Sequence, residues 1–259
     1  MLAAMKTEVW KLKRYHMIWA GVLLMLLSVL LTVFTTTAMD GTVWTFSYFA
    51  EQVIKNNFTT IFPMCIALIT GYIISREETD DTLKSILTIP VSFPALLFGK
   101  LAVGGLLSLF LGLTSTVFAV AASFLLGFPG GGLTAILQAA AQITFNCLFL
   151  YIAVLPIIAI SARIPNGHLI GAVVAFVYGY GGMFAAGNMT LANLYPVTAS
   201  IGLVGYRSYD EAVHWNTAAC ALSLLIALLV AAVFVVTAKK SAAAKTAKKP
   251  KQVMTKKGW

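Results

Sequence analysis

Charged side chains are scarce in this chain of 259 residues. Only 10% of its residues are Asp, Glu, Lys or Arg, whereas 59% are hydrophobic. Soluble domains carry about 25% charged residues. Together with a mean hydropathy of +0.89, this shortage excludes an ordinary soluble domain. The composition predicts an integral membrane protein.

Cysteine and histidine are also rare, and neither is clustered. The three cysteines lie singly in different apolar runs without CxxC spacing, so neither a disulfide framework nor a zinc site is predicted. The three histidines are scattered over both predicted sides of the membrane, which excludes a shared metal ion. Because no catalytic constellation is present, we do not expect an enzyme. These residues are Cys65, Cys147, Cys220, His16, His168 and His214.

A nucleotide-binding loop is missing too. A P-loop needs GxxxxGK followed by Ser or Thr, so that backbone amides surround the phosphates and a hydroxyl reaches magnesium. Gly99 and Lys100 match its end, but Pro94 replaces the first glycine and Leu101 follows the lysine. We therefore expect no cofactor on this chain. The net charge of +9 does not indicate nucleic acid, because the lysines flank apolar runs.

Six long apolar runs are present instead, each of about 20 residues or more, which is enough to cross a hydrocarbon core of about 30 Å. They predict an all-α polytopic protein with six transmembrane helices over residues 17–238. The third and fourth exceed the membrane thickness, so they tilt or project into water. The runs are Met17 to Ala38, Asn57 to Ser75, Ala95 to Gly127, Thr134 to Ser161, His168 to Gly187, and Trp215 to Ala238.

The distribution of Lys and Arg predicts cytoplasmic N- and C-termini. In that orientation 16 of the 18 basic residues lie inside, and only Lys55 and Arg207 lie outside. Positive loops stay cytoplasmic. Between the last two spans, residues 188–215 are too polar to cross and too apolar for a plain loop, which predicts short re-entrant or surface helices on the outer side.

Both termini carry further predictions. In residues 1–16, Leu2, Met5, Val9 and Leu12 recur at helical spacing, which favours an amphipathic helix on the inner leaflet over an ordinary positive flank. Residues 239–259 contain eight lysines and no acid. This composition predicts a disordered cytoplasmic tail attracted to anionic lipid, with a specific partner as the alternative.

The densest acidic run lies between the second and third predicted spans, on the cytoplasmic side. Leu83, Ile86 and Leu87 recur at the i, i+3, i+4 spacing that predicts one helical face, and acids in the first turn suit the positive end of the helix dipole. Pro90 is expected to end this short helix. Its acidity favours docking to a soluble protein over lying in the headgroup region, because lipid-facing helices are usually basic.

The stretch "GYIISREETDDTLKSILTIPVSFPALLFGK" resembles the cytoplasmic loop of ABC-2-type transporter permeases. The matching features are the pair Arg76–Glu77, the pair Thr82–Leu83, the segment Thr88–Ser92 and the pair Gly99–Lys100. Many members have glycine where this chain has Asp81. Length, six spans and inner termini extend the resemblance loosely over the whole chain.

This resemblance implies a permease that pairs with a second copy or a sister permease and docks a separate ABC ATPase subunit, which would bind the ATP and Mg. The nearest subgroup is the lantibiotic immunity and bacitracin resistance permeases of Gram-positive bacteria. That subgroup implies export of an amphiphilic antimicrobial peptide across the bacterial plasma membrane. The implied coupling-helix residues are Arg76, Glu77, Glu78, Asp80, Asp81, Thr82, Leu83, Lys84, Ile86 and Leu87.

An ion-coupled secondary transporter and a membrane scaffold without transport activity are the alternatives. Coupled carriers place ionisable residues inside their spans, but none of the nine acids lies near a predicted span centre.

Two helix faces complete the candidate residues. Gln138, Gln142 and Asn146 recur every four residues in the fourth span, so they share one face. They predict either interhelical hydrogen bonds or a polar strip along a substrate path. A second face of small residues in the fifth span predicts close helix packing; it comprises Gly167, Gly171, Ala175 and Gly179.

Overall fold

The computed structural model describes residues 17–37, 44–79, 93–164 and 167–238, and every regular element in these ranges is helical. The prediction of an all-helical chain is thus confirmed for them. In chain order the helices are α1 (Met17–Thr37), α2 (Phe46–Asn56), a π-helical segment (Asn57–Ile61), α3 (Phe62–Thr79), α4 (Phe93–Leu126), α5 (Leu133–Ser161), α6 (His168–Ala185), α7 (Met189–Leu194), α8 (Pro196–Leu203) and α9 (Thr217–Val236).

Five of these helices, α1, α4, α5, α6 and α9, are long and apolar enough to cross a membrane. A sixth crossing exists if α2 and α3 are counted as one bent span. Their outward faces carry large apolar side chains, which suits contact with lipid. The predicted multi-pass membrane architecture is therefore confirmed at five to six spans.

The second span differs from the prediction of Asn57 to Ser75. Helical structure starts already at Phe46, and the axis bends by 51° between the α2 part and the α3 part. The π-helical segment occupies the bend, and such segments insert a bulge into a helix. The sequence did contain a signal for α2, because Phe46, Phe49, Ala50, Val53 and Ile54 are all buried along one face.

The longest helices, α4 and α5, form a hairpin closed by a glycine-rich turn. Gly127 and Gly130 have φ values of +68° and +87°, a region that favours glycine. The Phe46 amide donates to the Pro129 carbonyl at 2.9 Å, so the start of α2 is fixed against this turn.

Helices α7 and α8 follow α6, in agreement with the short helices predicted for residues 188–215. The Asn188 side chain caps α7 by accepting from the Thr190 amide at 2.9 Å, and Pro196 opens α8 at a position where proline is tolerated. Residues Val197 to Gly202 of α8 are buried. This helix therefore packs inside the bundle.

Three predicted features lie outside the described residues: the interfacial helix at 1–16, residues 80–87 of the coupling helix, and the tail at 239–259. The three cysteines are buried. For orientation, we call the end of the bundle that holds the C-terminus of α3 and the N-terminus of α4 the acidic-loop end. The opposite end, which holds α7 and α8, is the α7–α8 end.

Candidate coupling end and substrate groove

Lys100 is the most deeply buried charged residue in the part of the chain that the structure describes. It lies eight residues into α4 and is only 3% exposed. Its Nζ donates to the Ile73 carbonyl of α3 at 2.7 Å. A buried ammonium group is costly unless it is hydrogen-bonded. The bond therefore links the two helices that flank the acidic loop.

The same end of α3 also contacts the first residue of α6. Ser75 Oγ and His168 Nδ1 are 3.1 Å apart, and the rings of Tyr72 and His168 meet edge-on at 6.1 Å. A Cβ on Gly71 would lie 2.9 Å from the His168 Cβ. Only glycine lets the two helices approach this closely.

Two further contacts hold α5 near this end. The Tyr151 hydroxyl donates to the Leu101 carbonyl of α4 at 2.5 Å, and Gly104 leaves room for that ring, because a Cβ there would lie 2.8 Å from the hydroxyl. Beyond the end of α5, Arg163 donates to the Phe234 carbonyl and to Thr237 Oγ1 in the last turn of α9. The acidic-loop end is thus fastened by polar contacts between α3, α4, α5, α6 and α9.

Some of the predicted coupling residues lie in α3, and the others lie outside the described residues. Helix α3 runs to Thr79, so Arg76, Glu77 and Glu78 continue the membrane helix instead of starting a separate one. The two glutamates therefore lie at the C-terminal end of α3. The remaining predicted positions, Asp80 to Leu87, lie outside the described residues.

The three residues of the polar strip in α5 have different surroundings. Gln138 is exposed and Gln142 is half-buried, whereas Asn146 is only 1% exposed. Gln142 Nε2 donates to the Val204 carbonyl at 3.0 Å, and Asn146 Nδ2 donates to Ser200 Oγ at 3.2 Å. The two inner residues of the strip thus bond α5 to α8 and to the turn after it.

Beside these bonds lies an open, mainly apolar groove of about 330 Å³. Its walls come from α5 and from the end of α8, and the rings of Phe145 and Phe149 stack along it with centroids 6.4 Å apart. Gln142 is the polar side chain in the lining. Since no charged residue of the described ranges lines the groove, its chemistry suits an uncharged, apolar or aromatic group. Its lining residues are Ala141, Gln142, Phe145, Phe149, Leu203 and Val204.

A buried polar network at the π-helical segment was missed by the sequence reasoning. Asn57 is 1% exposed; its Oδ1 accepts from Ser28 Oγ at 2.7 Å, and its Nδ2 donates to Ser115 Oγ at 3.1 Å. Next to it, Asn56 Nδ2 donates to Thr32 Oγ1 at 2.8 Å. The bend is therefore bonded to both α1 and α4. The adjacent asparagines were a signal, because polar groups inside spans require partners.

Asn193 joins α7 to the start of α9 and was also missed. Its Nδ2 donates to the Met189 and His214 carbonyls, while its Oδ1 accepts from the Asn216 amide and from Cys220 Sγ. Every polar atom of the carboxamide is therefore bonded. This arrangement fixes α7 against α9 at the α7–α8 end.

The small-residue face of α6 packs against other helices at most of its positions. Gly167 directly precedes the helix, whose start at His168 is the predicted start of the fifth span, while Gly171, Ala175 and Gly179 are buried. A Cβ on Gly179 would lie 2.9 Å from both the Thr59 carbonyl oxygen and Pro63 Cγ. This face therefore approaches the π-helical segment and the start of α3.

Over the described ranges, no group of three His, Cys, Asp or Glu side chains is placed to hold a metal ion. Comparison with curated proteins gave no match. Comparison with solved structures gave none either. A family model described as "ABC-2 family transporter protein" matches residues 4–182, which is more than half of the chain. This chain belongs to the ABC-2 family of transporter proteins.

Proposed function

We propose that the chain is the membrane subunit of an ATP-driven exporter whose ATP is hydrolysed on a separate ABC ATPase chain. The observation that carries the proposal is the family match over residues 4–182. ABC-2 members are membrane components that work with an ABC ATPase, and the matched range includes the acidic segment predicted to dock it.

The docking site of the ATPase is the segment from Arg76 to Leu87, facing the cytoplasm. The 16 to 2 distribution of Lys and Arg favours this orientation. The segment is anchored by α3 on one side and α4 on the other. Because Lys100 joins these two helices, a push on the segment reaches both.

The proposed cargo is an amphiphilic antimicrobial peptide of the lantibiotic or bacitracin type, expelled across the bacterial plasma membrane. The groove supports an amphiphilic cargo, since it combines stacked aromatic rings with one carboxamide and no charge. Within the polar strip we place the substrate contact at Gln142, which lines the groove. Asn146 is bonded to Ser200 instead. A second permease, either a copy or a sister chain, completes the path.

The docking proposal is tested by isolating the tagged chain from its native membrane and identifying co-purified ATPase by mass spectrometry. Replacing Leu83 and Ile86 together with Asp removes the apolar face of the segment, and we expect ATPase recovery to fall at least tenfold. The matched control is the double change Leu191→Asp and Leu194→Asp, at the same spacing on exposed positions of α7. Equal ATPase recovery from both variants contradicts the proposal.

The cargo proposal is tested with bacterial survival in a lantibiotic and in bacitracin. Gln142→Leu removes the polar group of the groove and is expected to lower the tolerated peptide concentration at least fourfold, with unchanged ATPase recovery. Asn146→Leu breaks a buried bond to α8 and is expected to lower the amount of folded protein. Undiminished survival of a Gln142→Leu strain that expresses normally contradicts the assigned substrate contact.

A further inference from the structure

We propose that Lys100 and Ser75 are positioning residues that transmit movement of the acidic segment, through α3, to α6 and on to the groove between α5 and α8. The inference rests on the proposed function, because it takes the ATPase as the source of the movement. It adds the side chains through which the movement leaves the docking site.

The first link is the bond from Lys100 to the Ile73 carbonyl at 2.7 Å. A charged donor forms a stronger hydrogen bond than a neutral one, and breaking this bond inside the bundle would cost the ammonium a buried partner. Ile73 and Lys100 stand on opposite sides of the acidic segment in sequence. The bond therefore makes the two anchors of the segment move together.

The second link is the contact between Ser75 and His168 at 3.1 Å. His168 is the first residue of α6, so a displacement of the end of α3 acts on the end of α6. The close approach at Gly71 leaves little slack, because tightly packed contacts transmit displacement instead of absorbing it. A displacement of α3 therefore moves the first turn of α6.

The third link lies near the other end of α6. The Tyr195 hydroxyl, just before α8, donates to the Tyr178 carbonyl of α6 at 2.6 Å. A Cβ on Gly182 would lie 3.2 Å from Val197 in α8. Helix α8 ends at Leu203, which lines the groove. One continuous helix thus connects the docking end with the groove wall.

The test uses the purified complex of permease and ATPase in lipid nanodiscs, with the three buried cysteines replaced by Ala. A bimane fluorophore is attached either at Phe98→Cys on α4, as the input label, or at Phe184→Cys near the end of α6, as the output label. Both positions are exposed, at 49% and 76%. The signal is the change in bimane emission when a non-hydrolysable ATP analogue is added.

We expect both labels to respond in the otherwise unchanged chain. In Ser75→Ala and in Lys100→Met the response at position 184 should fall at least threefold, while the response at position 98 remains. Lys100→Arg keeps the cationic donor and should restore the response at position 184. The matched control is Ser108→Ala, because Ser108 is buried but bonds only to Gly105 of its own helix; it should leave both responses intact.

A full response at position 184 in Ser75→Ala overturns the inference while the proposed function stands. An equal loss in Ser108→Ala also overturns it, since the effect would then not depend on the links. If no ATPase co-purifies and neither label responds, the proposed function itself fails. Should Lys100→Met not fold, the comparison of Ser75→Ala with Ser108→Ala decides the question.

Discussion

Gly112 lets α4 pack closely against α5, and enlarging this glycine should loosen the hairpin. A Cβ at this position would lie 2.8 Å from the Thr144 Cα and 3.1 Å from the Cys147 Cβ, against an ordinary contact distance of 3.4–4 Å. The nearest atom belongs to the backbone, so it cannot rotate away as a flexible side chain can. Gly112→Ala therefore requires the two helices to separate.

The cost of such overpacking is about 1–3 kcal/mol. For a chain of this size, 1 kcal/mol changes the melting midpoint by about 2–4 °C, so the midpoint of Gly112→Ala is expected to lie about 2–12 °C below that of a Gly→Ala change without overpacking. The matched control is Gly105→Ala in the same helix, where the added Cβ would lie 3.5 Å from Tyr151 Cε1, an ordinary contact. This control should keep or raise the midpoint, because Ala favours helix over Gly by up to about 1 kcal/mol.

The assay measures unfolding of the detergent-solubilised protein during heating, by the reaction of its thiols with a fluorophore. Cys65, Cys147 and Cys220 are buried, so they react only on unfolding. Cys147 is itself a neighbour of the added methyl group, so its reaction should begin earliest. Equal midpoints for Gly112→Ala and Gly105→Ala would refute the packing argument.

Three further predictions concern polar groups. Asn57→Leu removes the bonds to Ser28 and Ser115 and should lower the free energy of unfolding by about 1–4 kcal/mol, from about 0.6–2 kcal/mol per bond in a membrane. Asn193→Leu leaves the Asn216 amide and two carbonyls without their partner, so we expect protease cleavage between α8 and α9 to accelerate at least fivefold. Burial raises the pKa of Tyr206 to about 12, so stability should fall between about pH 10 and pH 12, and Tyr206→Phe should reduce that fall.

Each of these predictions has its own control. Asn188→Leu tests whether replacing any asparagine has the effect of Asn57→Leu, since Asn188 is exposed and caps only α7. For Asn193, cleavage at the exposed turn after α4 should not change. Stability falls, and does not rise, with pH because burial raises the pKa of Tyr206. Burial disfavours the phenolate in the folded state, so above the pKa of tyrosine in the unfolded chain the unfolded state is favoured. If Tyr206→Phe lost as much stability between about pH 10 and pH 12 as the unchanged chain, the prediction would be contradicted.

The spans were predictable because long apolar runs leave few alternatives. The limits of α4 follow from Pro94 and from Gly127, and the structure places the helix at Phe93–Leu126. Helix α2 was not predicted because it is short and partly polar, although its buried face follows helical spacing. The bend after it depends on Ser28 and Ser115, which no local pattern connects.

For the candidate site, the sequence predicts which residues share a helix face but not which residues those faces contact. Spacing along α5 predicts one shared face for Gln138, Gln142 and Asn146, but the partners of Gln142 and Asn146, Val204 and Ser200, lie more than 50 residues away in sequence. The same limit applies to Lys100, which sequence reasoning placed in a motif and the structure places against α3. Long-range pairing follows from packing, which one sequence does not reveal.

The α4–α5 hairpin is longer than a typical membrane is thick, so its surroundings depend on the lipid. From Lys100 to Leu126, α4 measures about 39 Å at 1.5 Å per residue, against a hydrocarbon core of about 30 Å. Leu125 and Leu133 at the tip are 87% and 74% exposed, so covering them with acyl chains stabilises the tip. Short-chain lipids would leave these leucines in water, whereas long-chain lipids would cover them. The acyl-chain length of the lipid therefore acts on α4, the same helix that Lys100 bonds to α3.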